Sequence, residues 1–315
     1  MFQTIGLDEA GYGPNLGPLV IGATRWELPN DPHDCDMWAL LGDVICDRYD
    51  RKSDRLLIAD SKHVYSPQRG VSRLELAVLS ILRTMGIEPD TLRELWLQLA
   101  APDCSAPDEE PWFVNHAIKL PVAASREAIL AMTKRLQDSF AATGIFPRDI
   151  RLDLMLGQRF NKLIQDGGKG VCLSRATMNV LNAVWDANDD SIRTLVVGDK
   201  HGGRNRYADL LAEILDGRML FTLEETDAKS RYRVGTTSLI FRSKAEACLP
   251  VALASMCAKY VRELSMMAFN KFWQQHIDDL KPTKGYPQDA RRFRKDIELT
   301  QKQLGISDDM LWRAK

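Results

Sequence analysis

The run Ile5-Gly6-Leu7-Asp8-Glu9-Ala10-Gly11-Tyr12-Gly13-Pro14 sets two adjacent carboxylates between a short apolar stretch and a Gly-x-Gly-Pro turn. Phe2 to Leu7 is short and apolar enough for a buried strand. Side chains alternate faces along a strand, so Asp8 and Glu9 diverge unless the strand ends there and a turn brings both toward one site. Gly11 and Gly13 let the chain bend and present backbone N–H groups to an anionic ligand. Carboxylates beside exposed amides suit a metal ion holding a phosphodiester. Read alone, the same residues also make a surface turn with two solvated acids, because Asp-Glu and Gly-x-Gly are each common.

Working outward, Leu19 to Trp26 is expected to return as a second strand and close a hairpin with the first. Pro29 to Arg55 reads as an insertion, partly helical around Trp38 to Ile45. Leu56-Leu57-Ile58-Ala59-Asp60-Ser61-Lys62 follows; by itself an Asp-Ser-Lys is most often a helix cap. The apolar spacing predicts helices over Ser72 to Met85, Thr91 to Leu99, Ser125 to Ala142 and Leu173 to Trp185. Ala101 to Pro111 reads as a loop, Phe113 to Val122 as weakly strand-like and Ile150 to Leu156 as a strand. Gly167-Gly168-Lys169-Gly170 is expected to be a flexible turn and lacks the ending of a phosphate-binding loop.

A second strong feature is the β-rich run Thr194-Leu195-Val196-Val197, which ends at Gly198-Asp199 and enters the basic loop Lys200-His201-Gly202-Gly203-Arg204-Asn205-Arg206. Sites in open α/β sheets gather at strand ends. The competing reading is that Asp199 caps a helix starting at Asn205. Met219 to Glu225, Arg231 to Val234 and Ser238 to Arg242 read as strands. The helix that follows carries Pro250 in its first turn. Its small residues Ala252, Ala254, Ser255 and Ala258 allow close packing on a sheet. Asp289 to Gln303 reads as a basic helix.

The totals exclude several classes. No apolar run reaches the ~20 residues of a membrane-spanning helix, and no basic segment precedes an apolar one at the start, so no signal peptide is expected. The six cysteines are scattered, with no CxxC pair and no zinc spacing to the five histidines. They read as reduced thiols of a cytoplasmic protein. Net charge is −1, but Lys281 to Lys315 holds nine Lys/Arg against five Asp/Glu. A neutral chain can still line one groove with cations.

The ordered set of motifs resembles the type 2 ribonucleases H (ribonucleases HII and HIII). Asp8-Glu9-Ala10-Gly11-Tyr12-Gly13-Pro14 is similar to the family opening Asp-Glu-Ala/Val-Gly-Arg-Gly-Pro, and Asp60-Ser61-Lys62 to its Asp-Ser-Lys. Asp199 matches the third acid after a buried strand. Lys244-Ala245-Glu246 through Arg262-Glu263 resembles the segment holding the fourth acid, and Lys284-Gly285-Tyr286-Pro287 resembles Lys-Gly-Tyr-Pro. These segments span about half the chain. Tyr12 stands where the family has arginine, which removes a forked cation. Glu246 is a methylene longer than aspartate, as in ribonuclease HIII, whereas the acids start at residue 8 as in ribonuclease HII.

The resemblance implies an α/β ribonuclease H-like mixed sheet flanked by helices, with insertions near 29–55 and 100–170. The catalytic domain would span 1–280 and a basic helical C-terminal extension 281–315. Asp8, Glu9, Asp199 and Glu246 would be catalytic and would hold Mg2+ or Mn2+, since clustered carboxylates repel without cations. Gly11, Tyr12, Gly13, Lys62 and Tyr286 would contact substrate. The implied activity is hydrolysis of the RNA strand of RNA–DNA hybrids, or at ribonucleotides embedded in duplex DNA, leaving 5′-phosphate and 3′-hydroxyl ends. A cytoplasmic monomer without membrane contact is expected. Two other readings use the same residues: a catalytically silent nucleic-acid binder on this fold, and a metal-dependent nuclease that cleaves DNA without ribonucleotides.

Overall fold

The structure, a computed structural model, describes residues 1–66, 68–114 and 118–314. Among the described residues nine strands form: β1 Phe2–Ala10, β2 Leu19–Leu28, β3 Ile45–Cys46, β4 Leu56–Leu57, β5 Phe146–Met155, β6 Arg193–Asp199, β7 Phe221–Glu225, β8 Lys229–Val234 and β9 Thr237–Arg242. β3 and β4 make a small parallel pair, and the other seven make one mixed sheet in the order β5-β2-β1-β6-β9-β8-β7. β1 runs antiparallel to β2 and parallel to β6, with Leu7 level with Gly198. β9 lies parallel to β6 on its other side, with Arg242 level with Asp199. Twelve α-helices accompany the sheet: α1 Met37–Leu40, α2 Ser61–Val64, α3 Ser72–Thr84, α4 Leu92–Leu99, α5 Pro111–Val114, α6 Arg126–Thr143, α7 Gly157–Ile164, α8 Gly168–Val184, α9 Ala208–Ala212, α10 Leu249–His276, α11 Pro287–Gln303 and α12 Asp308–Leu311. A mixed sheet flanked by helices is thus present, as the motifs imply.

The alternation of β1 and β2 sorts the core into two layers. Ile5, Leu7, Leu19 and Ile21 pack with Leu173, Ala176 and Val180 of α8 on one face. Val20 and Trp26 face the other way, into a larger cluster with α3, α6 and α10. Helix α10 lies directly on the strands because glycines leave room for it. A Cβ on Gly6 would stand 2.2 Å from the Pro250 carbonyl carbon, and one on Gly22 3.0 Å from the Ala254 oxygen. Thr24 locks the contact by donating from Oγ1 to the Pro250 oxygen at 2.7 Å.

Three expectations differ. The Phe113 to Val122 stretch does not start as a strand: Pro111–Val114 is a helical turn, and residues 115–117 lie outside the described residues. Its aromatics are drawn inward, with Trp112 edge-on to Phe269 at 5.0 Å and Phe113 edge-on to Trp96 at 5.1 Å. The glycines at 168 and 170 belong to α8 rather than to a loop, because buried Cys172, Leu173 and Ala176 extend its apolar face backward. Asp199 does not cap the next helix, which begins at Ala208 after Tyr207, without a side-chain cap.

Candidate active site

The parallel pairing of β1 and β6 brings the acids to one end of the sheet. Gly6 faces α10, so Asp8, two residues on, faces it as well. Val197 packs with Ala245 and Val251, which puts Asp199 on that same face. Glu9 follows Leu7 onto the α8 face. The strand continues through Ala10, so the two neighbouring carboxylates point to opposite sides of the sheet edge. Lys244, at φ +58 in the left-handed region, turns the chain out of β9 into a 3-10 turn over Ala245–Ala247 that presents Glu246.

The acids feel one another. Burial raises Asp8 well above the ordinary carboxylate range, Glu9 and Asp199 add to the rise, and the Ser255 hydroxyl opposes it. Burial and the charge of Asp199 push Glu9 up to about 7, against the pull of Lys62. Asp199 is raised by burial, with Glu246 adding to it and Lys62 opposing. One oxygen of Asp199, Oδ1, is buried without a hydrogen-bond partner. A buried, unpaired carboxylate oxygen among mutually repelling acids is the environment a hard divalent cation relieves. The donor set fits Mg2+ or Mn2+ in its chemistry. Among the described residues no three acid, histidine or cysteine side chains already stand close enough to hold an ion.

The remaining expected residues fall around these acids. Lys62 is 88% exposed at its side chain, and Asp8, Glu246 and Asp199 all raise its pKa, after the larger effect of Asp60. Asp60 does cap α2, accepting from the Lys62 N–H at 3.0 Å, so cap and cation coexist. Ser61 meets Ser255 at 3.0 Å, which ties α2 to the stretch of α10 beside Asp8. Gly11, at φ +91, admits no side chain: a Cβ would stand 2.4 Å from Arg262 Nε and 2.6 Å from the Pro18 oxygen. Gly13 is exposed, with open space where a Cβ would be. Tyr286 is 52% exposed beside the same turn, because the Gly285 oxygen accepts from the N–H groups of Asn15 (2.8 Å) and Leu16 (3.3 Å).

Several contributors escaped the sequence reading. Lys169 Nζ lies 4.6 Å over the Tyr12 ring, so a cation from α8 stands beside the residue that replaces arginine. Its signal was the Gly-Gly-Lys-Gly run, read as a turn. Arg313, 1% exposed, donates from Nη2 to the oxygens of Gly11 (2.5 Å) and Pro14 (2.6 Å). Burial and neighbouring Arg262 push its pKa down to about 9. No local pattern connects residue 313 with residue 11. Lys284 donates to Glu263 (2.9 Å) and Tyr65 (2.7 Å), which anchors the Tyr286 loop to α10. The basic C-terminal helix is partly neutralised. Arg292 pairs with Asp289 and Asp296, Arg294 with Asp308, and Lys302 with Glu298. Lys315 lies outside the described residues.

Comparison with known proteins places solved structures beside this chain. No protein-family model matches it, and no curated sequence does. The ribonuclease H2 of Pyrococcus horikoshii OT3 is 16% identical with a TM-score of 0.44, over 98% of this chain and 92% of that one. The ribonuclease HII of Archaeoglobus fulgidus, solved as a complex with PCNA, is 14% identical with a TM-score of 0.48, over 99% and 94%. Bst-RNase HIII, in complex with Mn2+, is 16% identical with a TM-score of 0.40, over 99% of this chain and 66% of its own. The similar solved structures are type 2 ribonucleases H. Identity of this size assigns no residue role. Among the described residues, no helix is long and apolar enough to cross a membrane.

Proposed function

We propose that the chain is a metal-dependent endoribonuclease that hydrolyses the RNA strand of RNA–DNA hybrids, or the backbone at ribonucleotides embedded in duplex DNA, leaving 5′-phosphate and 3′-hydroxyl ends. The observation that carries this reading is the gathering of Asp8, Glu9 and Asp199 at one sheet end, where Glu9 and Asp199 raise Asp8, Asp199 raises Glu9, and Asp199 Oδ1 is left unpaired. A protein that only bound nucleic acid would gain nothing from repelling carboxylates beside phosphates.

Asp8, Asp199, Glu9 and Glu246 are the residues that would hold Mg2+ or Mn2+. The bound cation supplies Lewis-acid stabilisation of the phosphodiester and of the attacking water. Lys62 extends into solvent beside the acids, placed to take a phosphate oxygen. The backbone at Gly13 borders open space, and amides of the Gly11-Tyr12-Gly13 turn can read the 2′-hydroxyl that separates RNA from DNA. Arg313 holds that turn from beneath through the Gly11 and Pro14 oxygens. Tyr286 offers a ring to the sugar next to it. Lys169 over Tyr12 restores a positive charge where the family's arginine is missing. In this reading residues 1–280 form the catalytic domain, 281–315 its helical extension, and the protein acts as a cytoplasmic monomer.

The test offers purified protein, with Mg2+ or Mn2+, a long labelled RNA–DNA hybrid and a labelled duplex with one ribonucleotide. Cleavage of either, abolished in Asp199→Asn, is the expected result. Binding without cleavage of either would favour the silent nucleic-acid binder. Cleavage of all-DNA duplex would favour a nuclease of different specificity.

A further inference from the structure

The insertion at 29–55 builds a wall against the turn that carries Glu246. Trp38 Nε1 donates to the Ala247 oxygen at 2.8 Å, so the inserted segment is bolted to the residue next to that acid. Between them opens a groove of about 750 Å³, lined by Trp38, Tyr49 and Glu246 among others. Tyr49 is 57% exposed, unusual for an aromatic that packs into no core. Arg73 stacks on one face of its ring, 3.6 Å from the centroid. Tyr49 also lines a smaller cavity, of about 150 Å³, behind the groove, and Arg73 lines only that one. With one face held by Arg73, the ring still borders the groove. Arg48 and Lys244 line the groove as well, against the acids Asp47, Asp60 and Glu246.

We propose that this groove seats an unpaired nucleotide of the substrate, next to the bond cleaved at the acids, with its base stacked on Tyr49. An exposed ring rigidified from behind by a guanidinium is a stacking platform, and cations spaced beside such a ring track a phosphate backbone. A base inside a duplex has no free face to offer, so the occupant is single-stranded: an extension or gap flanking the hybrid. The near balance of charge in the groove makes stacking, rather than attraction to phosphate, the main recognition. The inference rests on the proposed hydrolysis of hybrids only for its substrate.

The test uses the full chain with Asp199→Asn, so that substrate stays intact, and an RNA–DNA hybrid whose short unpaired extension carries 2-aminopurine. Separate arms place the extension on the RNA or the DNA strand, at either end. In one arm binding should quench the fluorophore, and the extended hybrid should bind about tenfold more tightly than the blunt one. Tyr49→Phe should keep both effects and Tyr49→Ala should abolish them. Equal affinity for blunt and extended hybrids, or quenching that survives Tyr49→Ala, would overturn the proposal. Tyr49 is a surface residue, and the circular dichroism of both variants checks that folding is unchanged. If the unsubstituted protein shows the Tyr49-dependent quenching and cleaves nothing, the hydrolase reading fails while the groove stands. Cleavage without that quenching is the reverse result.

Discussion

Two groups of buried carboxylates lie along helix α10 and behave in opposite ways. Near its start, Asp8, Glu9 and Asp199 share one end of the sheet, and Glu9 is pushed up to about 7 by burial and by Asp199. Farther along, burial would also raise Glu263, but Lys259 at 2.7 Å, Tyr65 at 2.5 Å and Lys284 at 2.9 Å hold it down to about 2. Glu263 is a finished ion-pair cluster that anchors a loop. The strand-end acids are unfinished: their charges repel, and one oxygen has no partner. Between these two groups burial is shared, and the neighbours make the difference: it appears as opposite directions of shift.

The sharpest way to break this contrast is to neutralise each kind of acid. Asp199→Asn is expected to lower hybrid cleavage by roughly 10³-fold or more, since several kcal/mol of charge stabilisation is lost. Its melting temperature without metal should not fall, because a repelling charge has been removed. Glu263→Gln should do the reverse and cost about 3 kcal/mol, since Lys259 and Lys284 lose their counter-ion. Urea unfolding reads that loss. A Glu263→Gln protein of unchanged stability that no longer cleaves would place Glu263 in the site instead.

The pH dependence separates the groups by sign. Glu9 has a folded pKa of about 7, above the ordinary 4.5, so its ionisation opposes folding. That penalty is absent below about pH 4.5, grows as pH rises, and is complete above 7, on the order of 3 kcal/mol. Glu263, with a folded pKa of about 2, contributes stability that is present above pH 4.5 and lost as pH falls toward 2. Without metal, Glu9→Gln should therefore melt higher than the parent at pH 8 and equally at pH 4. Thermal scans at the two pH values check this, and equal melting at pH 8 would remove the repulsion argument. Added Mg2+ or Mn2+ should stabilise the parent at pH 8 more than Glu9→Gln.

The smallest expected effect concerns Lys169. An exposed cation over a ring is worth ~0.5–1 kcal/mol, so Lys169→Gln should raise the KM for hybrid a few-fold with little change in kcat. Tyr12→Arg in that background should restore it. A kcat loss of a hundredfold would instead put Lys169 among the reacting groups.

The legibility of the site followed the range of the interactions. Asp8, Glu9 and Asp199 could be proposed from short runs, acids at the end of an apolar strand, whereas Glu246, Lys62 and Tyr286 were candidates only through the ordered resemblance of their segments. The helix at Gly168 was not readable, because glycines disfavour helix locally and only the burial of Cys172 and Leu173 outweighs that. Trp38, Arg262 and Arg313 were not readable either. Their partners are Ala247, Leu16 and Gly11, each more than 200 residues away.

By itself the sequence determined the types and order of the acids, the hairpin that carries the first two, and the small-residue helix that allows close packing. These follow from patterns within about ten residues, where backbone geometry dictates which side chains share a face. Tertiary structure alone decided that Leu7 lies level with Gly198, so that Asp8 and Asp199 share a face while Glu9 takes the other. It also decided that a lysine from α8 meets Tyr12 and that the far end of the chain supports the glycine turn. The register of a parallel pair and the burial of an arginine are settled by packing of the whole core, and no local pattern encodes either.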